Sequence, residues 1–163
     1  MSAAKSATSP HSACRGGAPG FTLIELMIVV VIATILISIA LPLYLHQIRE
    51  SRRTDARSAL LDLAGREERY FDTNNAYTAT ATNLGYAGFG TAYPVGNGYY
   101  YISSPPTMNN SATPPTFSLT ALPVPGKGQD LDTQCASFTV TSTGQQSSLN
   151  SSGTDSSSIC WGQ

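Results

Sequence analysis

The chain has 163 residues, with 9 basic and 10 acidic side chains, two histidines and three cysteines. That length and near-neutral balance suit one small globular head rather than several domains. Beyond residue 20 the single histidine is His46, and no nucleophile motif, phosphate loop or metal-spaced ligand cluster occurs, so neither catalysis nor a cofactor is expected. Asp130-Leu131-Asp132 offers too few ligands for calcium and reads as a solvated turn.

In chain order, the first informative stretch is Gly20 to Ala33, GFTLIELMIVVVIA, which opens an apolar run broken by one acid, Glu25. From Leu26 to Leu45 there are 20 residues without a charge. About 20 helical residues at roughly 1.5 Å rise match a hydrocarbon core of about 30 Å, so the segment is long enough to span a membrane. A secretory signal would have a shorter apolar core followed by a small-residue cleavage site. Here the polar stretch comes first and no A-x-A follows, so cleavage is expected in front of the apolar run.

Gly20, then Phe21-Thr22-Leu23-Ile24-Glu25-Leu26-Met27, then an Ile/Val-rich span resembles the prepilin signature of type IV pilins and their pseudopilin relatives, over about Gly20 to Tyr44. The resemblance implies that residues 1–20 are a leader, removed by a prepilin peptidase that cuts after Gly20 and methylates the new amino terminus, Phe21. Two positions depart from the family pattern. Arg15 is separated from Gly20 by Gly16, Gly17, Ala18 and Pro19, and Thr34 stands where the family often has a glycine; threonine lacks glycine's backbone freedom.

An ionised carboxylate in a lipid-facing helix costs about 2.5 to 3.5 kcal/mol at the centre and less near the interface. The implied cleavage would create an ammonium at Phe21, one helical turn from Glu25. In pilins this glutamate meets the Phe amine of an adjacent subunit and sets axial register, which is the role the resemblance implies for Glu25. Pro42 has no amide hydrogen, so the bond to the Ser38 carbonyl is lost and a kink between Ser38 and Pro42 is expected. The Ser38 hydroxyl is a local candidate to take up the freed carbonyl. Proline also occupies this point of the pilin pattern, where the helix loosens on packing into a filament.

Residues 46–72 hold six arginines and six acids, whereas the chain from Thr73 onward has only Lys127, Asp130, Asp132 and Asp155 as charged side chains. Ile48, Ala56, Ala59, Leu60, Leu63, Glu67, Tyr70 and Phe71 mostly follow three- and four-residue steps, so the anchor is expected to continue as an amphipathic helix. One helix from Phe21 to about Phe71 would measure roughly 75 Å, with 21–45 as transmembrane and assembly segment and 46–71 amphipathic. Gly65 weakens it without ending it, and Asp62 with Arg66 forms a favourable i,i+4 pair. The charges fit either a solvated face or pairing between subunits.

Asn74-Asn75, Gly85, Gly88, Gly90 and Pro94 make residues 72–98 read mainly as a loop. Strands are expected at Tyr99 to Ser103, Thr116 to Leu122 and Cys135 to Thr141. Phe117, Leu119 and Ala121 alternate with Ser118 and Thr120, as Phe138 and Val140 do with Thr139 and Thr141, the pattern of a half-buried antiparallel sheet. Tyr99 to Tyr101 read as strand residues alternating between core and solvent. The fold class is α+β: a long N-terminal helix packed on a C-terminal antiparallel head, residues 99–163, the αβ-roll arrangement that the pilin resemblance implies.

Cys14 would leave with the leader. Cys135 and Cys160 remain and suggest a disulfide closing a loop of about 25 residues, worth roughly 3 to 4 kcal/mol in the chain-entropy model; pilins that this chain resembles bracket a C-terminal loop in the same way. Counting basic residues leaves orientation open, because Lys5 and Arg15 precede the span and Arg49, Arg52, Arg53 and Arg57 follow it. The cysteine pair, the Ser/Thr/Gly-rich head and the prepilin motif place the expected head in the periplasm. Removing the leader would leave 143 residues with 7 basic and 10 acidic side chains.

The resemblance implies a structural subunit held in the bacterial inner membrane before assembly and polymerised through its N-terminal helix into an extracellular pilus. Its implied partners are other pilin subunits, the prepilin peptidase, the inner-membrane assembly machinery and the lipid bilayer. Tyr70-Phe71, Asn75-Ala76-Tyr77, Leu84-Gly85-Tyr86, Phe117 to Ala121, Cys135 with Phe138-Thr139-Val140, and Cys160-Trp161 resemble PilE-type minor pilins. A major pilin and a type II secretion pseudopilin are the alternatives. A DNA- or surface-binding module is the alternative of another class; the head's single cation, Lys127, argues against nucleic acid as a partner.

Overall fold

The computed structural model describes residues 20–162. The expected leader, with Lys5, Cys14 and Arg15, lies outside the described residues apart from Gly20. The chain forms two units that divide between Leu41 and Pro42. One helix, α1 (Leu23–Asn74), runs through both and includes Pro42.

Within the first unit, the side chains of residues 23–41 are exposed apart from half-buried Ala33. Leu, Ile and Val make up most of them, so this stretch has no core of its own. Among the described residues α1 is the one helix long and apolar enough to cross a membrane.

In the second unit α1 buries Arg53, Ala56, Leu60, Leu63 and Glu67, a three- and four-residue spacing that lays one face on the head. The helix ends three residues beyond the expected Phe71. Side chains hold the extra turn: the Thr73 hydroxyl donates to the Arg69 carbonyl at 3.3 Å and the Asn74 amide to the Tyr70 carbonyl at 2.9 Å. Asn75 then takes a left-handed conformation, φ 48°, which a short polar side chain tolerates at a helix end.

The sheet has six antiparallel strands: β1 (Pro94–Val95), β2 (Tyr100–Ile102), β3 (Thr107–Asn109), β4 (Thr116–Pro123), β5 (Ser137–Thr141) and β6 (Gln146–Leu149). Their order is β1-β2-β4-β5-β6, with β3 also pairing β4. Ile102 faces Ala121 and Met108 faces Phe117, so β2 and β3 share β4 as a partner along its length. The expected strands are present with shifted ends, β5 beginning at Ser137 rather than Cys135. Strands β1, β3 and β6 were not expected: two or three residues, or the polar Gln-Ser-Ser-Leu, leave no alternation to read. Between α1 and β2 the chain carries a 3-10 turn at Ala81–Leu84 as well as β1.

Phe117, Leu119, Ala121, Phe138 and Val140 point inward and meet Ala56, Leu60 and Leu63 in one core. Burying each large apolar side chain contributes about 1.5 to 3 kcal/mol. Aromatic contacts cross it: Phe71 stacks on Tyr77, which meets Phe117 edge-on with centroids 4.8 Å apart. Phe138 receives Tyr100 and Trp161 edge-on, each at 5.8 Å. Tyr100 is fully buried, while Tyr101 is half-buried and Tyr99 lies under the Arg52 guanidinium at 3.7 Å.

A short helix, α2 (Ser157–Trp161), closes the chain against β6. The Ser148 N–H donates to the Ser157 hydroxyl, the Ser156 N–H to the Ser148 carbonyl and the Trp161 indole to the Ser147 carbonyl, each at 2.9 Å. A Cys135–Cys160 disulfide, Cα to Cα 5.8 Å, ties this segment to the start of β5. The outer edge of β6 therefore spends its backbone groups inside the chain.

Candidate assembly site

Gly20 and Phe21 precede the first helical residue and are exposed, Phe21 at 83%. The start of α1 is set by Thr22, whose hydroxyl accepts the Glu25 N–H at 3.2 Å. This is the backbone half of an N-terminal capping box, and Thr22-x-x-Glu25 is the pattern that signals it. Thr22 was missed as a functional residue although that spacing was legible. Glu25 stands in the first turn, where the helix dipole favours negative charge. Its carboxylate makes no hydrogen bond or ion pair among the described residues. An exposed acid with free acceptor oxygens, beside an apolar surface, can receive an ammonium from outside the chain.

Further along, α1 carries two hydroxyls that bond back into the helix. Thr34 donates to the Val31 carbonyl at 2.8 Å and Ser38 to the Ile35 carbonyl at 2.7 Å. The Ser38 hydroxyl is thus engaged one turn earlier than expected and does not serve the carbonyl that Pro42 frees. Back-bonding of this kind satisfies a hydroxyl in apolar surroundings.

The head is fixed to the lower half of its helix by a buried ion pair that the sequence did not disclose. Arg53 Nε and Nη2 donate to Asp132 Oδ2 and Oδ1 at 2.7 and 2.9 Å, with both side chains 3% exposed. Asp132 also accepts the N–H groups of Gln134 and Cys135, while the Gln129 amide bridges it to the Tyr100 hydroxyl. The expectation of a solvated turn at Asp130 to Asp132 is corrected for Asp132, which is a buried anchor; Asp130 is exposed and accepts the Gly126 N–H at 3.0 Å. Only one carboxylate of the pair enters the network, so spacing in sequence gave no sign of it. Desolvation pushes the Tyr100 hydroxyl up to about 12, countered by the Gln129 bond.

A second buried acid, Glu67, lies higher on the same face and is fully buried. Its Oε2 accepts the Thr78 N–H at 3.1 Å and its Oε1 has no partner. Burial raises its pKa above the ordinary 4.5, the Thr78 bond opposes the rise and Glu68 adds to it. Among the described residues no group of three or more His, Cys, Asp or Glu side chains is placed to hold a metal.

Residues 42–139 match the family model of the type IV minor pilin ComP, a DNA uptake sequence receptor. Residues 18–41 match the prokaryotic N-terminal methylation motif. Type IV major pilin protein PilA of Myxococcus xanthus (strain DK1622) is 38% identical over 68 residues, which are 42% of this chain and 31% of PilA. The chain thus spans about a third of the length of the curated relative it matches. An N-terminal methylation motif leading into an exposed apolar helix, followed by a head that matches a pilin family model over more than half of the chain, gives one conclusion: this protein belongs to the type IV pilin family.

Proposed function

We propose that the chain is a minor subunit of a type IV pilus, cut after Gly20, methylated at Phe21 and polymerised through α1 by pairing of Glu25 with the Phe21 amine of an adjacent subunit. Before assembly the helix anchors it in the inner membrane with the head periplasmic; afterwards the head stands on an extracellular fibre. The observation that carries this reading is the carboxylate of Glu25, unpaired among the described residues, at the start of an exposed apolar helix, three residues after its cap Thr22. The disulfide in the head supports the periplasmic side. The role is structural and not catalytic.

Intact-mass spectrometry of sheared surface filaments, before and after reduction, tests it. The expected species begins at N-methylated Phe21, gains two hydrogens on reduction and is scarce relative to the bulk subunit. A dominant amount would make it a major pilin. Its absence from filaments while abundant in the inner membrane would overturn the reading in favour of a pseudopilin.

A second reading is favoured by the printed description of the matching family, a DNA uptake sequence receptor. It would make the head a DNA-binding module, using exposed Lys127 of the head together with exposed Arg69 of α1. Gel-shift binding that weakens as salt rises would support it; absence of binding at low salt would remove it.

A further inference from the structure

The second unit carries a groove of about 610 Å³ between α1 and the loop before β2. Two acids from the helix, Asp55 and Asp62, and two tyrosines from the loop, Tyr86 and Tyr93, line it. The acids are held in place. Asp55 accepts the Asn97 N–H and side-chain amide at 3.1 to 3.3 Å, and Asp62 Oδ2 accepts Arg66 Nε at 2.7 Å and the Tyr86 hydroxyl at 2.8 Å. Two glycines keep the loop close to these walls. A Cβ on Gly88 would meet the Tyr93 ring at 2.4 Å, and one on Gly96, at φ +55°, would meet the Asp55 side chain at 2.9 Å. Arg66 offsets Asp62, but among the described residues Asp55 has no cationic partner. The groove is therefore a preorganised slot with one uncompensated negative charge and two aromatic walls, the chemistry that holds an alkylammonium.

Beyond α1 the head has one cation in its sequence, Lys127. Lys127 is the only lysine beyond residue 20. It is exposed on the turn after β4, and its ammonium makes no hydrogen bond or ion pair among the described residues. The turn is shaped by its own bonds, Lys127 N–H to the Val124 carbonyl at 3.4 Å and Gly126 N–H to Asp130 at 3.0 Å. A knob and a slot on different elements of one chain are complementary without being self-complementary. Such a contact is heterologous and propagates as an open helical array rather than closing into a dimer.

We infer that the Asp55/Asp62/Tyr86/Tyr93 groove receives Lys127 of a second copy of this chain when subunits pack into a fibre. This rests on the pilus-subunit reading and adds a head-to-head contact to the one made by the helices. The charge that Asp55 leaves unbalanced within one chain is balanced by the next.

Because Lys127 is the only lysine beyond residue 20, a zero-length carbodiimide, which joins an amine to a carboxylate with loss of water, reports its partner directly. Cells would co-express two copies, one carrying Lys127→Ala and the other Asp55→Asn with Asp62→Asn. A cross-linked peptide joining Lys127 to Asp55 or Asp62 can then only be between chains. The expected result is that link in filaments, and its loss when both changes sit on every copy. Lys127 linked to another acid, to a different protein or to nothing, in filaments that contain both copies, would overturn the inference and leave the pilus-subunit reading standing. Absence of both copies from filaments would overturn that reading and this one together.

Discussion

The two units of this chain solve the problem of apolar surface in opposite ways. Residues 42–162 build a core, with Leu60, Tyr100, Leu119 and Phe138 fully enclosed, although Leu43 to Leu45 at their start remain exposed. Residues 23–41 leave Leu, Ile and Val side chains half or more exposed along the helix. At about 25 cal/mol per Å² of apolar surface, the first unit holds a large unspent driving force for any apolar partner, lipid or protein. The difference teaches where to look for each property: the packed head for stability, and the exposed helix for surface that an apolar partner can cover.

Variants that separate the two properties test this division. The largest effect is expected from Glu25→Ala, which should abolish entry into sheared filaments on immunoblots while leaving the head's denaturation midpoint unchanged. Retained assembly would break the comparison. Next comes Arg53→Ala, which strands Asp132 as a buried unpaired charge and should cost about 3 to 5 kcal/mol. Urea unfolding of the detergent-solubilised chain, followed through the single and buried Trp161, would measure it. Replacing the pair by Arg53→Met with Asp132→Leu should recover most of that loss, since an apolar pair leaves no charge behind.

Removing the Cys135–Cys160 bond with Cys135→Ser and Cys160→Ser is expected to cost about 3 to 4 kcal/mol by the same measurement, from a sequence separation of 25. The smallest effect belongs to Glu67. Its folded pKa is raised by burial, so its contribution to stability is fully present below the ordinary 4.5 and is lost as pH rises through the folded value. The wild-type midpoint should fall across that window. Glu67→Gln should flatten this slope, and an unchanged slope would show that another group controls it.

Legibility followed the physics of each signal. The membrane-length run and the Glu25 interruption are local in sequence, so they were readable without a structure. The same holds for β4 and β5, where alternation of Phe117, Leu119 and Ala121 with polar neighbours states which face is inside. The ion pair of Arg53 with Asp132 was not readable, because its partners are 79 residues apart and neither position carries a pattern. Strand β6 was equally hidden, since Gln-Ser-Ser-Leu becomes a strand through pairing with β5 rather than through propensity. The Ser38 hydroxyl had two acceptors within one turn, and only coordinates could choose between them.

The segment held by the disulfide has a consequence for fidelity. On a fibre the heads are crowded at very high local concentration, the condition under which a bare strand edge recruits neighbours into mispaired aggregates. Here the backbone of Ser148 and the Ser147 carbonyl are already occupied by Ser156, Ser157 and Trp161, and the covalent bond keeps those occupants from leaving. The disulfide thus keeps the occupants of the β6 edge in place, so that the backbone groups they cover are withheld from a neighbouring strand.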